Sequence, residues 1–78
     1  MGLLVLLVED PACVGWRFRF IEPSGIVMHD RRVLEEGPLA LKLPEASYTF
    51  ELRDEMDVLL RRQPVVVSSE PAQLRIAR

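Results

Sequence analysis

Trp16-Arg17-Phe18-Arg19-Phe20-Ile21-Glu22-Pro23-Ser24-Gly25-Ile26-Val27 decides the fold. Aromatic side chains at 16, 18 and 20 alternate with Arg17 and Arg19, and successive side chains of a strand point to opposite faces. The stretch is therefore a strand with one buried and one wet face. Pro23-Ser24-Gly25 then turns the chain. Pro23 presets φ at the first corner and Gly25 tolerates a positive φ, so a hairpin follows.

The same alternation recurs outward in both directions. Leu39, Leu41 and Leu43 alternate with Ala40 and Lys42; Tyr48, Phe50 and Leu52 with Thr49, Glu51 and Arg53; Leu74 and Ile76 with Gln73, Arg75 and Ala77. Leu3–Val8 and Val65–Val67 are apolar at every position, which predicts strands covered on both faces or meeting a partner. Between the runs stand Asp10-Pro11, Glu35-Glu36-Gly37-Pro38, Pro44-Glu45-Ala46-Ser47, Gln63-Pro64 and Glu70-Pro71. Six prolines between strands argue against a long helix.

The reading is an all-β chain of seven strands, near 3–8, 15–21, 26–30, 38–43, 47–53, 64–68 and 72–77. They form a small, mostly antiparallel β-sandwich in one domain, 1–78. The predicted core holds Trp16, Phe18, Phe20, Leu41, Leu43, Tyr48, Phe50, Val65, Val67, Leu74 and Ile76. Residues 54–62 are ambiguous. Leu52, Met56, Leu59 and Leu60 have helical spacing, so a short helical turn competes with a short edge strand there.

Composition narrows the function. Apolar residues make up 49% and charged residues 28%, a globular balance. Ten basic and twelve acidic residues leave −2. The signs are interleaved along the chain without a basic stripe, so nucleic acid is not an expected partner. The opening apolar run lacks a basic flank and is too short to span a bilayer, so neither a secretory leader nor a membrane partner is expected. Cys13 is the single cysteine. No internal disulfide can form, and a cytoplasmic location is expected.

Asp10-Pro11, Val14-Gly15-Trp16 to Phe20, Pro23-Ser24-Gly25-Ile26-Val27, Gly37-Pro38 to Leu43-Pro44, Tyr48-Thr49-Phe50-Glu51-Leu52 and Pro64-Val65-Val66-Val67 together resemble the prealbumin-like (transthyretin-like) β-sandwiches. Among these the regulatory-like domains of metallocarboxypeptidases are the nearest in pattern. Glu45-Ala46-Ser47 departs from the glycine usual after that Leu-Pro, and Leu3–Val8 from the usual opening Gly-x-Val. The resemblance implies a non-catalytic module. The family's hydrolytic branch, which acts on hydroxyisourate, uses several histidines and a C-terminal Tyr-Arg-Gly-Ser; this chain has one histidine and ends Arg75-Ile76-Ala77-Arg78.

The residues offer no catalytic set. His29-Asp30 could orient an imidazole, but no nucleophile stands at a motif spacing and neighbours on a strand face opposite ways. Cys13 reads as a small buried hydrophobe. Asp54-Glu55-Asp57 and Glu35-Glu36 lack the glycine turn and distal carboxylate of a calcium loop. One His and one Cys are too few for zinc. No metal and no cofactor are expected. The expected function is protein–protein interaction or assembly, with a protein partner or a second copy. The candidate interface residues are Leu4, Val5, Leu6 and Leu7 on the all-apolar strand, and Arg17 and Arg19 on the wet face of the aromatic strand. A sugar- or small-ligand-binding module using an exposed Trp16 is the alternative.

Overall fold

The structure, a computed structural model, describes Met1–Arg78. Its elements are β1 (Gly2–Val8), a 3-10 turn (Pro11–Cys13), β2 (Arg17–Ile21), β3 (Val27–Arg32), β4 (Gly37–Leu43), β5 (Ala46–Arg53), β6 (Leu59–Val67) and β7 (Ala72–Ile76). The seven strands form two sheets, ordered β4-β1-β7 and β3-β2-β5-β6. All pairs are antiparallel except β1 with β7. No helix is long and apolar enough to cross a membrane.

Local chemistry sets each connection. Asp10 caps the 3-10 turn by accepting from the Ala12 N–H at 2.8 Å, and Pro11 occupies the first position, where no N–H is needed. The β2–β3 turn closes through Gly25 N–H to the Glu22 carbonyl at 2.8 Å, with Gly25 at φ 92°. The β5–β6 connection is a hairpin, which corrects the helical alternative for 54–62. The Asp54 carboxylate accepts from the N–H groups of Met56 at 2.8 Å and Val58 at 2.9 Å, and Asp57 sits at φ 65°. A side-chain acceptor that captures backbone donors diverts them from a helical ladder. Leu59–Arg62 then continue into β6, so the strand alternative holds for that half.

The core lies between the sheets. Every residue of the expected core is buried, joined by Leu4, Leu6, Val8, Cys13, Val33 and Leu52. Phe20 is its hub, with ring centroids 5.9 Å from Phe18, 5.2 Å from Phe50 and 6.4 Å from Tyr48. Such pairs add about 0.5–1.5 kcal/mol each beyond the area they bury. Arg61 closes the side of the core: its guanidinium lies 5.7 Å from the Phe50 ring centroid and donates to the Arg75 carbonyl across the gap between sheets at 2.7 Å.

β1 is not covered on both faces, the first of the two arrangements expected for it. Leu4, Leu6 and Val8 are buried in the core, whereas Leu3, Val5 and Leu7 are only half-buried on the outer face. Residues 54–62 do not cover them. Partial cover comes from the flanking strands, where Val5 lies between Ala40 and Gln73 and Leu7 between Pro38 and Arg75. A two-layer sandwich has only one interior, so an all-apolar strand must leave one parity outside.

Candidate interaction surface

The outer face of the four-stranded sheet is built by register. Opposed residues on neighbouring strands share a face. Crossing the sheet from β3 to β6 gives one row of Arg32, Arg17, Arg53 and Leu59, and a second of Asp30, Arg19, Glu51 and Arg62. A third row holds Val27, Ile21, Thr49 and Pro64. Rows lie about 7 Å apart along the strands. The surface therefore runs from a cationic row, through a row of alternating charge, to an apolar row.

Two carboxylates hold four guanidinium groups. Asp30 accepts from Arg17 through both oxygens, Nε to Oδ1 at 2.6 Å and Nη2 to Oδ2 at 3.0 Å, and lies 3.4 Å from Arg19 Nε. That hydrogen-bonded fork holds the Arg17 guanidinium pKa above its ordinary value. Glu51, nearly buried, lies 3.7 Å from Arg53 and 3.6 Å from Arg62. Arg32 has no acidic partner and donates to the Gly15 carbonyl at 2.8 Å. Even with Asp57, 3.9 Å from Arg53, five guanidinium groups face three carboxylates. The Nε–H groups of Arg19 and Arg53, both out of solvent, lie within ion-pair distance of carboxylates without aligning as hydrogen bonds. Charge is thus only partly neutralised on this face.

The candidate interface residues do not come together. Leu4 and Leu6 are fully buried and present nothing outside. Val5 and Leu7 lie on the outer face of the three-stranded sheet, and Arg17 and Arg19 on the opposite side of the molecule, on the outer face of the four-stranded one. Alternation had already put Glu51 and Arg53 on the wet face, and the register sets them opposite Arg19 and Arg17. Arg32 and Arg62 had no sequence signal, because only strand register gathers them. His29 and Asp30 point to opposite faces, and the Asp30 carboxylate is engaged by arginines.

Sheet edges are guarded. β4 carries Pro38 and Lys42, and β6 carries Pro64 and Arg62. The Arg75 carbonyl of β7 is occupied by Arg61. β3 has a bulge near Met28 and three consecutive charges, Asp30, Arg31 and Arg32. Each is a known device against strand addition.

Trp16 is 9% exposed and belongs to the core. One edge of it lines a cleft of about 500 Å³ with Leu52, Leu60, Arg61 and Arg78. Cys13 is buried. Burial, then the Asp10 carboxylate, raise its thiol pKa above the ordinary value against a smaller lowering by Arg78, so the thiol stays protonated and unreactive at neutral pH. No group of three or more His, Cys, Asp or Glu side chains is placed to hold a metal ion. Comparisons with protein-family models, with curated proteins and with solved structures gave no match.

Proposed function

We propose that this chain is a non-catalytic interaction module, and that it docks an acidic protein partner on the guanidinium-rich face of the four-stranded sheet. The carrying observation is the cross-strand set Arg17, Arg19, Arg32, Arg53 and Arg62 against Asp30 and Glu51 on one surface. Arginine forks bind carboxylates in bidentate geometry and keep their charge in a desolvated contact. The apolar row about 13 Å further along suits a partner segment whose carboxylates lie beside apolar residues. We place the chain among the prealbumin-like sandwiches on its turn and strand pattern. Its first strand pairs with the fourth and seventh, unlike the immunoglobulin constant arrangement, where the first shares a sheet with the second, fifth and fourth. A chain with a single free cysteine, held together by packing alone, suits a reducing compartment such as the cytoplasm.

The test is fluorescence anisotropy of a labelled oligoglutamate peptide titrated with the protein. Binding should weaken with added salt, and Arg17→Glu with Arg62→Glu should reduce affinity by about tenfold or more. Salt-insensitive binding, or binding indifferent to both reversals, would refute the reading.

A second reading has one observation in its favour, the cleft beside Trp16. A sugar bound there would change Trp16 fluorescence on titration with monosaccharides; an unchanged spectrum across the series rejects it.

A further inference from the structure

Where the two sheets part between β3 and β4, a cavity of about 120 Å³ opens between Val33 and Leu39, with Leu6, Val8 and Phe18 beneath. Its floor is apolar, and Leu34 of the same copy lines part of it. Its rim carries Arg31, Arg32 and Glu35, all exposed. Leu34 stands at the mouth with 76% of its surface in solvent, followed by exposed Glu35 and Glu36. Leu34 is one of several exposed apolar side chains, and it stands beside a cavity with both charge signs on its rim.

Leu34-Glu35-Glu36 has the chemistry the cavity asks for. The volume suits one branched aliphatic side chain, and two carboxylates directly after it match the Arg31 and Arg32 guanidinium groups on the rim. Knob and hole also lie next to each other, which a two-fold contact requires: each copy gives its Leu34 and receives its partner's. We infer that Leu34 of one copy seats in the β3–β4 cavity of a second copy, with Glu35 and Glu36 of each meeting Arg31 and Arg32 of the other. This contact lies at the seam between sheets and shares Arg32 with the guanidinium face, so its test uses Leu34, Arg31 and Glu35, none of which belongs to that face.

The molecule measures 31 × 24 × 16 Å, so one cavity and its rim offer a limited area. The contact is small, below about 1,200 Å² in total, so the dimer is weak and reversible. Self-complementary charge around an apolar knob is what gives such a contact its specificity.

Sedimentation equilibrium from about 10 µM to about 1 mM covers the range in which so small a contact dissociates. The weight-average mass should rise from monomer toward dimer. Leu34→Asp should raise the dissociation constant by about tenfold or more. Arg31→Glu and Glu35→Arg should each weaken the dimer, and together restore it to within about twofold. All three positions are exposed, so thermal midpoints should not move. A monomer at every concentration overturns the inference. So does a dimer that Leu34→Asp leaves intact, or single reversals without effect. A Leu34→Asp chain that melts lower yet never formed dimers would assign the cavity to Leu34 of the same copy, which also overturns it.

Discussion

Tyr48 Oη donates a 2.5 Å hydrogen bond to the carbonyl oxygen of Pro44, four residues upstream. The bond ties the start of β5 to the turn that carries the chain from the three-stranded sheet to the four-stranded one. Burial, then the Glu22 carboxylate, hold the phenol above its ordinary pKa of about 10. Tyr48→Phe should therefore destabilise the domain by about 1–2 kcal/mol in urea unfolding near neutral pH. The sign with pH follows from linkage. The folded chain holds this proton more tightly than the unfolded one, so the contribution is whole below pH about 10 and is lost as pH rises through the folded value. The gap between wild type and Tyr48→Phe should narrow in that alkaline window and stay constant below it. A gap that widens there contradicts the assignment.

Gly2 faces the opposite constraint. A Cβ built on it would overlap the Ser68 carbonyl oxygen and Val67 Cγ1. Backbone cannot yield as a flexible side chain does, so Gly2→Ala should force the start of β1 away from the end of β6. A loss of about 1–3 kcal/mol is expected, read as a lower urea midpoint at unchanged slope. An unchanged midpoint would show that the strand end shifts freely.

Asp30 separates the structural from the functional use of the arginine face. It neutralises Arg17 and Arg19, yet all three side chains are partly exposed, and ion pairs open to solvent contribute little. Asp30→Asn should change stability by less than about 1 kcal/mol while strengthening oligoglutamate binding several-fold. Weaker binding in that variant would mean that Asp30 positions the arginines for the partner.

Trp16 and Cys13 report the same end of the core from two sides. Trp16 should emit at short wavelength and resist iodide quenching, as a core indole does. Cys13 should react with a disulfide reagent only as fast as the chain opens, because its thiol is buried and protonated. Stoichiometric labelling within seconds under native conditions would place Cys13 outside the core.

The seven strands, the sandwich core and the Pro23–Gly25 turn were all legible in the chain. Their signals are local: alternation with period two says which parity is buried, and Pro and Gly place the corners whatever lies beyond. Residues 54–62 were not legible, because helical spacing of Met56, Leu59 and Leu60 competed with Asp54, whose carboxylate takes the Val58 N–H that a helix would pair with the Asp54 carbonyl, and with Asp57, which turns the chain at a positive φ. Nor could the chain say which face of Leu3–Val8 is inside, since both parities are apolar; pairing with β4 and β7 decided it. The largest gap concerns charge. Read in order, the acidic and basic residues are mixed, and no basic stripe is visible. Arg17 and Arg62 lie forty-five positions apart in number and meet on one surface only because β5 stands between β2 and β6. Residue order determines local conformation through neighbours along the backbone. A charged face is a property of strand register, and register is set by which apolar rows the two sheets bury against each other.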